Sequence, residues 1–168
     1  MILLSVGTEA FSFHRLVQAV DAAASELDEP VFGQIGASEY EPLHFEHARL
    51  VPFDRMRELL ETSSRVICHA GAGTCLLAIS LGHVPVVLPR LAHFGEHVDD
   101  HQVEFAHRLD ERGLVTRARD AIEAVELLRR APSRRTEPLD PGLDVRGREL
   151  SEHLLRSVGG RMLTRRAA

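Results

Sequence analysis

The segment Arg65–Pro89, RVICHAGAGTCLLAISLGHVPVVLP, decides the fold. Arg65-Val-Ile-Cys68 is a short strand, and His69-Ala-Gly-Ala-Gly-Thr74 is a glycine-rich turn. Thr74–Leu81 is a helix, which Gly82-His83 breaks before the strongly apolar strand VPVVLP, Val84–Pro89. A strand, a glycine turn, a helix and a second buried strand make one βαβ unit, and short apolar runs of this kind belong to parallel sheets covered on both faces.

Upstream, ILLSV (Ile2–Val6) is a buried strand ending at Gly7-Thr8. Phe13, Leu16, Val17, Val20, Ala23, Ala24 and Leu27 recur at helical spacing, which predicts a helix over Ser12–Leu27 with Ser12 as its N-cap. Strands are expected at Val31–Ile35 and Ala48–Phe53, with the polar, irregular ASEYEPLHFEH between them, and Asp54 caps a short helix through Leu60. Downstream, a helix over Val98–Arg112 stops at Gly113, Leu114–Thr116 is a last short strand, and Asp120–Arg130 is a closing helix. Strands alternating with helices at this spacing predict a single α/β domain over residues 1–130, a doubly wound, Rossmann-like, mostly parallel sheet.

Residues 131–168 read as a linker and tail. APSRRTEPLDPGLD is rich in proline and charge, and Val145–Val158 is a further helix with Leu150, Leu154 and Leu155 on its apolar side. That tail either docks back on the domain or meets a partner or an acidic membrane surface.

Composition removes several function classes. A chain of 168 residues, 44% hydrophobic and 27% charged, is an ordinary globular domain with a real core. It has no Trp, one Tyr and seven Phe, too few aromatic rings for base stacking, and its net charge of −5 opposes a phosphate backbone; a nucleic-acid partner is not expected. Every basic residue is Arg, so no P-loop or Schiff-base lysine exists. Cys68 and Cys75 read as reduced thiols of a cytosolic protein. MILLSVGTEAF is not built like a signal peptide, and nowhere do eighteen apolar residues run together.

In doubly wound sheets, ligands bind outside the carboxyl ends of the strands. Three loops fall there: Gly7-Thr8-Glu9, His69–Thr74 and Arg90–Gln102. In HAGAGT, Gly71 and Gly73 allow close backbone approach and the helix start offers free N–H groups to a diphosphate. The turn lacks the third glycine of the dinucleotide fingerprint and the GK[ST] of a Walker loop, and a plain strand-to-helix connection is the alternative. Gly7 and Thr8 repeat the arrangement, with a tight turn as the alternative.

HFGEHVDDHQ, His93–Gln102, invites a metal reading because His93, His97 and His101 are four apart, with Asp99 or Asp100 as a further ligand. Against it, the helix is expected to begin near Val98, which leaves His93 and His97 off the helical face, and Gly95 marks an irregular loop. Carboxylate and amide groups at a helix start suit sugar hydroxyls better, so Asp99, Asp100, His101 and Gln102 are read as sugar-facing.

VGT, HAGAGT, P-x-x-x-P-R (Pro85–Arg90), GEH and DHQ, in this order, resemble the C-terminal, donor-binding half of GT-B glycosyltransferases. The likeness spans about residues 1–130 and is nearest to the MurG-related, split-subunit enzymes of PssE-like type. The resemblance implies that Gly7, Thr8, His69, Ala70, Gly71, Ala72, Gly73 and Thr74 hold the diphosphate and ribose of a UDP-sugar. It implies that Glu96, Asp99, Asp100, His101 and Gln102 face the sugar, with Arg90 of the P-R pair among the donor-binding residues. Transfer in this class uses no bound metal and no cofactor beyond the UDP-sugar substrate. Many relatives carry a Glu in the helix after the glycine turn where this chain has Leu77, so a carboxylate contact to ribose is not expected. The resemblance further implies a membrane-anchored partner subunit that binds a lipid-linked or polysaccharide-precursor acceptor and supplies the catalytic base. It implies a cytoplasmic location peripheral to the membrane, a glucuronosyl or N-acetylglucosaminyl donor in exopolysaccharide synthesis, and a face open to self-association. Because the strand follows Met1 directly, a natural short subunit is expected rather than a piece of a longer enzyme. Competing readings are a non-catalytic nucleotide-sugar sensor, a UDP-sugar epimerase-like protein and a His-rich metal protein.

Overall fold

The computed structural model describes residues 1–133. Six strands form one all-parallel sheet: β1 (Ile2–Ser5), β2 (Val31–Gln34), β3 (Glu46–Ala48), β4 (Arg65–His69), β5 (Val86–Leu88) and β6 (Thr116–Arg117). Their order is β3-β2-β1-β4-β5-β6. The helices are α1 (His14–Ala23), α2 (Phe53–Thr62), α3 (Ala72–Ser80), α4 (His101–Glu111) and α5 (Ala121–Arg130), with single 3-10 turns at Ala24–Glu26 and Ala92–Phe94. This is the doubly wound, Rossmann-like sheet that the alternation of elements predicts.

Period-two alternation along the central strands separates the two layers. Ile2 and Leu4 of β1 and Ile67 of β4 pack with Leu16, Val17 and Val20 of α1 and Val125 and Leu128 of α5. Leu3 and Val66 point the other way, onto Met56, Leu59 and Leu60 of α2 and Leu77 and Ala78 of α3. Beside that second cluster, Cys68 and Val87 pack on Cys75 and Ile79 of α3 and Ala106 and Leu109 of α4. β1 and β4 are buried along their whole length, which explains the apolar runs Ile2–Leu4 and Val66–Cys68.

Several boundaries differ from expectation, each for a local reason. Ser12 does not cap α1: its hydroxyl lies 3.2 Å from His14 Nδ1, and the helix opens at His14 without a side-chain cap. β3 occupies Glu46–Ala48 rather than 48–53, because Pro52 takes the N-cap position of α2. The segment before it is pinned by Asp21, a buried carboxylate that accepts from the Tyr40 hydroxyl at 2.6 Å and the His44 amide at 2.8 Å. α4 starts at His101, three residues after Val98, and β6 at Thr116. Asp120 does cap α5, accepting from the Glu123 amide at 2.8 Å. The linker from 134 onward and the helix expected at Val145–Val158 lie outside the described residues.

Candidate functional site

The sheet order reverses at β1, whose neighbours are β2 and β4, so the topological switch point lies between the carboxyl ends of β1 and β4. Register sets Ser5 beside Cys68, which brings Gly7 and His69 to the same level. The two loops close on one another around the His69 ring. A Cβ on Gly7 would stand 2.5 Å from His69 Cε1, and one on Gly71 would stand 2.1 Å from His69 Nε2. Gly7 also has φ +80°, so both space and backbone demand glycine there.

The His69 ring is buried, with Nδ1 3.4 Å from the Ser5 carbonyl. A carbonyl only accepts, so Nδ1 carries the proton and Nε2 keeps its lone pair. Burial is the main cause that holds the His69 pKa down to about 3, and the charge of Arg90 adds to it. The imidazole is neutral at physiological pH.

α3 begins immediately after. The Cys75 amide makes the first bond of the helix, to the Gly71 carbonyl at 3.0 Å, so the amides of Ala72, Gly73 and Thr74 precede the intrahelical ladder. Gly71, the N-cap residue, offers no side chain, and the first turn holds no carboxylate to compete for those donors. Such a helix start is an anion site by geometry and by dipole. Ala72 is exposed, Gly71 and Gly73 are half-buried, and Ala70 and Thr74 are buried beneath them; Thr8 is half-buried at the facing rim. Leu77 is 4% exposed and packs among apolar side chains under α2, so a carboxylate at its place would be buried in the core. The two free thiols lie below, with Cys68 Sγ 3.8 Å from Cys75 Sγ, and that contact, together with burial, pushes the Cys68 thiol well above its usual range.

The loop after β5 is organised differently. Arg90 is fully buried, and its guanidinium is committed to backbone carbonyls. Nη2 donates to Val6 O at 2.8 Å, while Nη1 donates to Phe11 O at 2.8 Å, Glu96 O at 3.0 Å and Ser12 O at 3.3 Å. The cation also lies 4.9 Å from the centre of the Phe13 ring. Glu96 is buried as well, paired with Arg15 of α1 (Nη2 to Oε2 3.0 Å) and accepting from the Leu91 amide at 2.9 Å. Gln102 accepts from the Arg90 amide at 3.2 Å. These three residues, read from the sequence as donor contacts, are buried and brace the loop, Arg90 and Glu96 through several contacts each and Gln102 through its Oε1.

Asp99, Asp100 and His101 remain at the exposed rim. Asp100 Oδ1 accepts from the Ala92 amide at 2.7 Å, and Asp99 Oδ1 accepts from the His101 amide at 3.1 Å and from the His101 ring. That contact with His101 is the main cause that lowers the Asp99 pKa. The four-residue histidine spacing is not a helical face, because His93 stacks on Phe94 in the 3-10 turn and only His101 is in α4.

Sequence reasoning misses Arg15, and it names His97 only within the metal reading that it sets aside. Arg15 is 81 residues from its partner Glu96, and nothing local marks the pair. His97 was within the histidine-rich stretch, but the absent helical face removed the reason to single it out. Its ring stacks on Phe11 of the first loop with 5.4 Å between centroids.

A family model, that of the glycosyltransferase family 28 C-terminal domain, matches residues 1–137. Among solved structures, the glycosyltransferase SnogD from Streptomyces nogalater is similar, at 17% identity and a TM-score of 0.53 over 96% of this chain and 39% of its own. The calicheamicin glycosyltransferase CalG4 is 19% identical with a TM-score of 0.55, over 94% of this chain and 38% of its own. The glycosyltransferase VinC, solved in complex with dTDP, is 17% identical with a TM-score of 0.51, over 95% and 37%. At these identities the likeness concerns the fold, and the chain spans about two fifths of each relative's length. No curated protein matches the sequence.

Proposed function

The chain belongs to the family of glycosyltransferase family 28 C-terminal domains, and from that premise we propose that it is the donor-binding subunit of a two-chain glycosyltransferase of MurG-related, PssE-like type. The observation that carries the reading is the start of α3 at the switch point of the sheet, where three amides precede the helical ladder beside a neutral histidine. A nucleoside diphosphate fits this place, because its charge meets oriented N–H groups and no carboxylate within the first turn. VinC, whose solved complex contains dTDP, supports a nucleoside diphosphate as the ligand class.

In this reading Gly7, Thr8 and His69–Thr74 hold the diphosphate and ribose, and Asp99, Asp100 and His101 meet the hexose. Arg90, Glu96 and Gln102 are positioning residues that fix the loop. The donor is a UDP-hexose, glucuronosyl or N-acetylglucosaminyl. During transfer, negative charge grows on the departing diphosphate, and the α3 amides stabilise it without a bridging metal. The base and the lipid-linked or polysaccharide-precursor acceptor belong to a membrane-anchored partner, which recruits this chain to the cytoplasmic face. Among the described residues no helix is long and apolar enough to cross a membrane.

Isothermal titration of the full chain with UDP, UDP-glucuronate and UDP-N-acetylglucosamine tests the reading. A saturable response to UDP and a tighter one to a UDP-sugar are expected. Asp100→Ala removes a charged hydrogen-bonding group worth about 1.5–3 kcal/mol, so UDP-sugar affinity falls roughly 10-fold or more while UDP affinity holds. No saturable response to any of the three nucleotides overturns the donor-binding function.

A further inference from the structure

Among the described residues, His97, Asp99 and His101 form a group whose ligand atoms all lie within 4.8 Å of one another. His97 Nδ1 stands 3.6 Å from Asp99 Oδ1, and the same oxygen contacts His101 Nδ1. The His97 and His101 rings meet edge to face, with centroids 4.7 Å apart.

His97 distinguishes this group from a chance cluster of surface acids. Its side chain is only 9% exposed, and Nδ1 is buried without a hydrogen-bond partner. The opposite nitrogen, Nε2, lies 3.4 Å from Glu9 Oε2 in the loop after β1. Carboxylates thus face both ring nitrogens, and a cation between Nδ1 and Asp99 would take the Nδ1 lone pair while Glu9 accepts from Nε2. Phe11 packs against the ring at a tilt of 33°, with 5.4 Å between centroids. A buried imidazole whose distal N–H is held by a carboxylate, and whose proximal lone pair has no partner, has the arrangement of a metal-ligating histidine.

We propose that this chain holds one divalent transition-metal ion of the Zn²⁺ class on His97 Nδ1, an Asp99 carboxylate oxygen and His101 Nδ1. Two imidazoles and one carboxylate suit Zn²⁺ better than Mg²⁺ or Ca²⁺, which prefer oxygen ligands throughout. Tetrahedral zinc with ligand distances of about 2.0–2.2 Å places its ligand atoms roughly 3.4 Å apart. The His97–Asp99 separation of 3.6 Å is already near that value. His101, more than half exposed, turns from its contact with Asp99 into ligand spacing. Three protein ligands leave one tetrahedral position for water or a ligand oxygen. Through His97 and Glu9 the ion couples the start of α4 to the loop after β1. This site goes beyond the donor-binding reading and does not rest on it: an ion on Asp99 and His101 takes the place of their contacts with the hexose, and metal binding is measured without nucleotide.

The test is titration of the tag-free, metal-stripped full chain with ZnCl₂, together with the visible spectrum of the Co²⁺ form. Expected are one equivalent of Zn²⁺ bound with micromolar or tighter affinity and a tetrahedral Co²⁺ absorption band. Asp99→Asn and His101→Ala change exposed side chains, so circular dichroism stays native while each weakens Zn²⁺ at least 10-fold. Glu9→Gln weakens it about 10–100-fold through the orientation of His97, and His93→Ala leaves it unchanged. The proposal is overturned if the wild type shows no saturable binding, or if Asp99→Asn and His101→Ala both bind like the wild type. It is equally overturned if His93→Ala weakens binding as much as they do.

Discussion

The glycine turn after β4 and the loop after β5 lie one strand apart at the same edge of the sheet, yet they are held in shape by opposite means. The turn is shaped by sterics: Gly7 and Gly71 leave room for the His69 ring and for nothing else. The loop is shaped by polar side chains, with Arg90, Glu96, Gln102 and Asp100 each holding backbone groups. The difference follows from what each presents outward. A turn that offers its own amides has to keep side chains away, whereas a loop that offers carboxylates and imidazoles needs an internal frame to aim them.

The sharpest way to break the contrast is Arg90→Met. It removes the donors of Val6, Phe11 and Glu96 carbonyls, and several buried acceptors left unpaired cost about 3–5 kcal/mol in sum. Urea unfolding should show a large drop in midpoint at unchanged slope; a stability loss below about 1 kcal/mol would mean that the loop is held by packing after all.

A smaller effect is expected in the turn. Gly71→Ala forces a Cβ to 2.1 Å from His69 Nε2, and overpacking of this kind costs about 1–3 kcal/mol. If sterics against the ring are the cause, Gly71→Ala in a His69→Ser background costs less, and a double-mutant cycle reads a coupling of about 0.5–3 kcal/mol. Additive costs would move the origin of the glycine requirement away from His69.

The gentlest probe is pH. His69 is held at about 3 in the folded protein, below the ordinary value of about 6.5 that it regains on unfolding. The unfolded chain therefore binds a proton that the folded one refuses. The contribution of His69 is fully present above pH 6.5 and is lost as pH falls toward 3, at about 1.4 kcal/mol per pH unit. Wild type and His69→Gln, compared by chemical unfolding between pH 7.5 and 4.5, should converge as the pH falls. Parallel profiles would show that His69 takes up a proton in place.

Features that depend on neighbours in sequence are legible in the sequence alone. The β4–α3–β5 unit, the glycine turn and the doubly wound order all follow from local apolar runs and turn residues. The start of α4 was misplaced because Asp99 and Asp100 divert their carboxylates to the amides of His101 and Ala92, and such local bonds compete with helix formation. Partnerships across the fold left no trace: Arg90 reaches Val6 and Glu96 reaches Arg15 over 84 and 81 residues. Arg90, Glu96 and Gln102 are polar residues beside a ligand edge, and only their burial reveals that they face inward. His97 is visible in the sequence as one of the evenly spaced histidines, but its contacts with Glu9 and Phe11 come from another loop and are not.

The guanidinium of Arg90 touches carbonyls at Val6, Phe11 and Ser12 after β1 and at Glu96 after β5. Neither loop can swing out while the other stays, because each would strip the same cation of part of its shell. The two segments thus form one cooperative opening unit with a single shared free energy. Any ligand that orders either loop would tighten both at once, so the rim would answer as a clasp instead of as separate fingers.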